Sequence, residues 1–473
     1  MSKYDLLLKG GRVADFLTKV DSTLDVAIKQ GKIEQVGEHI SPDDAARTVD
    51  VSGLVLLPGL TDLHAHIAFE RFGGNAFAML ARAGVTTALD CGGPFDQLLF
   101  DAKQYGTAIN VACIQMIKPG VTVSGTDPSS EEFGDVLAKW SDRGALGLKL
   151  LGGHYPLTPE ATARAIEVCN EQRAYVCFHV GTLATGAGTL TSFREAVGLA
   201  QKNHLHLAHV NSYCRGQVLG DPIPETLEVL TTLDNSPNLI SEAYLSVFSG
   251  SPGKCINGML ESLGPRNSLR MAGYGGSEEE MSRAILDGFA GVVASVGDDN
   301  IVLHGKEAHD YWRAKETDVT CTFPVTPAST RFLLATTKDK QGRFIVDALS
   351  TDGGGIPRNF LLSKGLALVH MDAITLPEFT AKTSYFPAQV LGLKTKGSLS
   401  AGFDADITVA DLDKRCAVMS FVGGKPLMVD GVIVNTEPTI VTTKRGAGFL
   451  RSEGFKTCEV DLENSWFYTT RPC

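Results

Sequence analysis

Eight apolar runs alternating with helical stretches, polar ligand-type residues at the ends of those runs, and short alternating strands at both chain ends predict an α/β fold. The expected architecture is a TIM (β/α)8 barrel carrying small sheet segments from the two ends of the chain. At 473 residues the chain is too long for one small module. Its 43% hydrophobic and 21% charged content fits a compact globular protein, not a disordered one.

Residues 1–57 read as short strands with turn signals, as in Asp5-Leu-Leu-Leu-Lys-Gly-Gly, Asp25-Val-Ala-Ile-Lys and Lys32-Ile-Glu-Gln-Val-Gly, ending at Leu57-Pro58-Gly59. The eight runs follow: Leu54 to Asp62, Val85 to Cys91, Ala108 to Ile117, Leu146 to Leu151, Ala174 to His179, Leu205 to Val210, Asn238 to Val247 and Phe344 to Ser350. Helical candidates such as Pro159 to Glu171 and Thr191 to Lys202 lie between them. Residues 248–343 are too many for an ordinary connection and predict a lid insertion of one or more helices plus a loop over the barrel mouth. Beyond residue 390 the strand texture returns in Ala405-Asp-Ile-Thr-Val-Ala, Ser420-Phe-Val-Gly-Gly and Val429-Asp-Gly-Val-Ile-Val. The two end segments either pair into one sandwich or form independent edge sheets; periodicity alone leaves both open.

Charge and targeting narrow the function classes. Lys+Arg 43 against Asp+Glu 54 gives a net charge of -11 without a basic cluster, which disfavours nucleic acid and anionic membrane and favours a small-molecule ligand. The start Met1 to Lys9 holds only a three-residue apolar run, and no uncharged apolar stretch reaches the roughly 18 residues of a membrane span, so a cytoplasmic protein is expected. The ten cysteines are scattered without a CxxC pair, and no disulfides are expected.

The chemistry concentrates at the ends of the runs. His64 and His66 close the first, two residues apart, where the strand period points both the same way. Lys149 ends the fourth run, His179 the fifth and His209 the sixth, while Asp352 follows the eighth. Six potential metal ligands thus sit at strand C-termini, the rim where a barrel builds its site.

The run Leu57-Pro58-Gly59-Leu60-Thr61-Asp62-Leu63-His64-Ala65-His66, the ordered Lys149, His179, His209 and Asp352, and the closing Gly397-Ser398-Leu399-Ser400-Ala401-Gly402-Phe403-Asp404-Ala405-Asp406-Ile407 together resemble the amidohydrolase superfamily. Within it, the chain resembles the binuclear-metal cyclic amidohydrolase branch of hydantoinases, dihydropyrimidinases and dihydroorotases. The resemblance implies a composite β-sandwich formed by both chain ends, parts 1–57 and 391–473 with a C-terminal tail, beside a barrel domain over 58–390. It also implies two divalent ions and a CO2-derived carbamate on Lys149. His64, His66 and Asp352 would hold one ion and His179 and His209 the other, with Lys149 across both. Zinc suits imidazole donors, and manganese, iron or cobalt fit the same set. The carbamate has a physical reason: an ammonium is repelled by two dications, whereas its carbamate is anionic and offers one oxygen to each.

The expected reaction is hydrolysis of a carbon–nitrogen bond, most specifically ring opening of a cyclic amide or imide as in hydantoinase, dihydropyrimidinase or enamidase chemistry, with a metal-bridging hydroxide as nucleophile and Asp352 carrying the proton to the departing nitrogen. The alternatives are linear amide hydrolysis of the isoaspartyl-dipeptidase or N-acyl-amino-acid deacylase kind, a deaminase, and a non-catalytic homologue. Related hydantoinases carry an oxyanion-stabilising tyrosine about five residues after the bridging lysine; here that offset falls on His154, with Tyr155 next. Asn211, Arg215 and Arg358 are candidate substrate contacts, since an arginine can meet a carboxylate or imide oxygen. Cys91 is kept out of the ligand set, although a cysteine approaches the metals in some D-aminoacylase relatives. His204 and His206 have the opposite strand parity to His209 and are expected to face the helices. A homo-oligomer, dimer or tetramer, is expected by resemblance.

Overall fold

A computed structural model describes residues 2–68 and 72–469. The runs supply the strands of one parallel sheet: Leu60–His66, Val85–Gly92, Asn110–Ile117, Gly147–Leu151, Tyr175–His179, Leu205–Leu207, Leu239–Tyr244 and Ala348–Ser350, here barrel strands one to eight. The first run, Leu54 to Asp62, divides at Gly59, and its earlier half Val55–Pro58 belongs to the sheet of the chain ends instead. Strands two and three are buried along their whole length, as parallel strands covered on both faces must be. Strand eight pairs with strand seven through Ala348–Ser350 and, after a break at Thr351 and Asp352, with strand one through Gly353 and Gly354. That broken strand closes the cylinder.

Helices follow the strands and pack their apolar stripes on the sheet. Pro159–Glu171 starts where expected, with Thr158 accepting from Ala161 N and a proline in its first turn, and buries Ala161, Ala165, Ile166 and Cys169. Leu190–Ala200 begins at a capping box made by Thr189 and Ser192.

The two chain ends form one sheet, so the pairing left open by periodicity is resolved. Val55–Pro58 runs antiparallel to Ile407–Asp411, joining the strands of residues 6–37 to those of residues 416–433. An antiparallel bridge between Lys32 and Asp404 curls this sheet over a core that includes Leu8, Val26, Ile28, Leu56, Ile407 and Phe421.

The insertion over the mouth differs from the expectation of helices plus a loop. Ser249–Pro252, Gly291–Val296, Asp299–Leu303 and Thr320–Phe323 form a four-stranded sheet packed by Leu263–Met271, Glu278–Leu286 and Gly305–Ala314 around Leu269, Met281, Trp312 and Phe323. The lid therefore has a hydrophobic core of its own. The tail is also structured: Thr439–Thr443 pairs with Asn110 and Val111 at the start of barrel strand three, and Lys456–Val460 pairs beside it. Among the described residues no helix is long and apolar enough to cross a membrane. The nine described cysteines are free thiols, and Cys473 lies outside the described residues.

Candidate metal centre

The C-terminal ends of the barrel strands and the lid enclose one pocket, and His64, His66, Lys149, His179, His209 and Asp352 all line it. His64 is fully buried, with Nδ1 2.7 Å from Glu242 Oε1 and Nε2 3.5 Å from Asp352 Oδ1. A carboxylate accepting from Nδ1–H fixes the tautomer and turns the Nε2 lone pair to the cavity. His66 Nε2 lies 3.0 Å from the same Asp352 oxygen.

Asp352 sits at the break in strand eight with φ 49, a left-handed conformation that aspartate tolerates better than most residues. Its backbone N–H donates to His64 O at 2.8 Å, which locks the turn over strand one. Burial would raise its carboxyl, but Arg358, His209, His64 and the His66 hydrogen bond hold it well below the usual carboxylate range. Asp62 ties the same strands together, accepting from Thr351 N, Thr351 Oγ1 and His64 N; burial pushes its own carboxyl up to about 7 against those bonds.

On the opposite wall the contacts are between rings. His179 and His209 lie 4.4 Å apart edge to face, His154 meets His179 at 4.6 Å, and His209 stacks on His64 at 5.1 Å. Burial pushes His209 down to about 3 and His154 down to about 4, so both imidazoles are neutral at pH 7. Lys149 is buried with Nζ 3.4 Å from His64 Nε2 and 3.1 Å from Cys177 Sγ, and no described carboxylate pairs with it. Gly153 allows this packing, because a Cβ there would stand 2.1 Å from His179 Nε2.

His154 and Tyr155 both line the pocket; Nδ1 of His154 lies 2.8 Å from Ser262 Oγ on the lid, and Lys118 stacks over the Tyr155 ring. Of the three expected substrate contacts only Arg215 reaches the cavity wall. Asn211 is instead locked to the seventh strand, accepting from Tyr244 N at 3.2 Å and donating to Tyr244 O at 3.4 Å. Arg358 is buried as the ion-pair partner of Asp352, 2.6 Å from Oδ2, and donates to Phe248 O.

His206 corrects the parity reading. It is fully buried inside the barrel, with Nδ1 3.0 Å from Tyr175 OH and Nε2 3.8 Å from Glu242. Strand six stops at Leu207 and His209 takes φ 32 at the start of a 3-10 turn, so alternation cannot be carried across the two. Sequence reasoning also missed Glu242, which accepts from His64 and His209 N and holds Ser350 Oγ. Its signal was present: a glutamate within the otherwise uncharged strand Leu239–Tyr244.

A model of the amidohydrolase family matches residues 266–439. A dihydroorotase of Geobacter metallireducens is 24% identical over 438 residues, covering 86% of this chain and 90% of its own. Among solved structures, a D-aminoacylase studied for its binuclear metal centre superposes with a TM-score of 0.67 at 15% identity, over 93% of this chain and 99% of that one. The dihydropyrimidinase of Brevibacillus agri gives a TM-score of 0.60 at 15% identity, over 98% and 99%. Over most of its length the chain is similar to members of the amidohydrolase superfamily.

An amidohydrolase of this kind is a metal-dependent hydrolase, and the donors here fit divalent ions. Ligand atoms of His64, His66 and Asp352 lie within 4.8 Å of one another, as do those of His64, Cys91 and Cys177. His209 Nδ1 is buried without a hydrogen-bond partner. Neutral imidazoles and a carboxylate kept ionised are the forms that bind a divalent cation.

Proposed function

We propose that this amidohydrolase opens the ring of a cyclic amide or imide. His64, His66 and Asp352 would hold one divalent ion and His179 and His209 the other, Lys149 would serve both as its carbamate, and zinc would suit these donors. One observation carries the reading: six donors from five barrel strands line one pocket, with the acid among them kept ionised. The full-length dihydroorotase relatives support the cyclic substrate. Bound divalent ions supply Lewis acidity and a water acidified towards neutral pH.

The chain's own residues do the rest. Asp352 Oδ1, facing His66 and His64, is the proton acceptor, while Arg358 occupies Oδ2 and keeps the carboxylate from rotating. The same carboxyl then gives its proton to the departing nitrogen. In the tautomer in which Ser262 donates to Nδ1, His154 carries its proton on Nε2 and is the donor for the carbonyl oxygen, backed by Tyr155. The lid strand Ser249–Pro252 covers the pocket and excludes water.

The zinc-loaded protein should convert a hydantoin, dihydropyrimidine, dihydroorotate or lactam to one product bearing a new carboxylate, without a separate amine. Faster turnover of N-acyl-amino acids than of every cyclic amide would replace this reading with linear amide hydrolysis, which the placement of Cys91 beside His64 favours. For the carbamate, protein exchanged with carbon-13 bicarbonate should show a carbamate resonance that Lys149→Met abolishes.

A further inference from the structure

We propose that Arg215 is the carboxylate-binding residue of this centre, so that the substrate carries a free carboxylate beside the amide it presents for hydrolysis. The inference rests on the hydrolase reading above and names its substrate class.

Arg215 lies just beyond the 3-10 turn Val210–Tyr213 that follows His209, and it lines the same pocket. Its Nη2 donates to Ser212 Oγ at 3.2 Å and to Tyr244 OH at 3.3 Å. Both partners are neutral. They aim the guanidinium without compensating its charge, and Tyr244 OH is itself fixed by Thr326 Oγ1 at 3.0 Å. Nε of Arg215 is shielded from solvent with no hydrogen-bond partner, and no described carboxylate comes within ion-pair distance. Of the acids that follow, Asp221 caps the next helix by accepting from Ile223 N, and Glu225 is occupied by the backbone N–H groups of Gly216, Val218 and Leu219.

The second arginine beside Tyr244 supplies the contrast. Arg358 stacks over the Tyr244 ring at 5.1 Å and is neutralised by Asp352; Arg215 meets the hydroxyl end of the same side chain and is not neutralised. A half-buried cation with a shielded, unused donor is costly unless an anion completes it. A guanidinium matches a carboxylate fork to fork through two parallel N–H···O bonds. The subsite reaches the lid, because Gln217 of the Arg215 loop and Asn267 of the lid helix exchange two amide hydrogen bonds. The ring of His209 lies 6.2 Å from that of Tyr244, so a carboxylate on Arg215 sits one side chain away from the candidate ligands.

The test uses matched substrates, each carboxylate paired with its neutral carboxamide: dihydroorotate, and N-acetyl-amino acids. Zinc-loaded wild type should prefer the carboxylate. Arg215→Gln should raise KM for the carboxylate by about 30-fold or more, as removal of one partner from a shielded charge pair does, with a smaller change in kcat. Its effect on the carboxamide should be at least about tenfold weaker, and Arg215→Lys should restore part of the preference. A wild type that favours the carboxamide, or a variant that weakens both substrates equally, overturns the inference. Calorimetric titration with glutarate separates the two readings without turnover. Glutarate binding lost in Arg215→Gln, with no amide hydrolysed by either protein, retains the subsite and rejects the hydrolase reading. Amide hydrolysis with glutarate binding unaffected by the substitution does the reverse.

Discussion

His64 and His179 project from barrel strands into the same cavity, but they are held in different ways. His64 hydrogen-bonds Glu242 through Nδ1, stands beside Asp352, and has its backbone fastened to Asp62 and Asp352. Asp352 is fixed in turn by Arg358. His179 makes ring contacts with His154 and His209 and packs on Gly153, and His209 leaves a buried ring nitrogen unused. The rings on the wall of strands one and eight are held by carboxylates, whereas the His179 and His209 rings on the wall of strands five and six are held mainly by packing against other rings. Preorganised donors bind a cation without first rearranging, so the first wall should fill more tightly than the second.

Four experiments break or sharpen that contrast. Asp352→Asn removes the proton acceptor from the organised wall and should lower kcat by about 10^3-fold or more, within the range for losing general acid–base catalysis together with a ligand; undiminished turnover with metal retained excludes the proton-transfer role. Gly153→Ala strikes the packed wall. Its Cβ displaces His179, and a shift of that kind should cost about 10^2-fold in kcat and one of two bound ions by atomic absorption, with the circular dichroism spectrum unchanged. Retention of both ions would show that packing does not govern this wall.

Glu242→Gln keeps the shape but weakens the bond to His64, and should reduce the affinity of the tighter ion by about 10- to 100-fold in chelator competition. The smallest effect concerns pH. Folded His154 and His209 titrate at about 4 and about 3, below the ordinary 6.5, so the unfolded chain takes up protons first as pH falls. Stability of the metal-free protein is therefore fully present above about 6.5 and declines towards pH 4. His154→Gln should flatten that decline by one proton, about 1.4 kcal/mol per pH unit, in urea unfolding.

The same division explains what could be read from the sequence. The barrel strands and the six side chains that line the pocket were legible because strand apolarity and end-of-strand position are local properties. Glu242 and Arg358 were not recognised as partners of His64 and Asp352, because those pairings join residues more than 100 positions apart or cross a broken strand. His206 was placed on the wrong face because strand parity fails wherever the backbone leaves β geometry, as it does at His209. The lid sheet escaped notice for a related reason: its strands are at most six residues long and gain their stability from one another.

Strand three gains its lower neighbour, Thr439–Thr443, only from near the end of the chain, and Phe467 stacks on Tyr175 while Tyr468 OH donates to Ala174 O at the start of strand five. The floor of the cylinder thus depends on residues 439–468, which follow every barrel strand and the terminal sheet in the sequence. Closing that floor therefore comes after every barrel strand has been made, and a chain cut before residue 439 leaves the start of strand three without this neighbour.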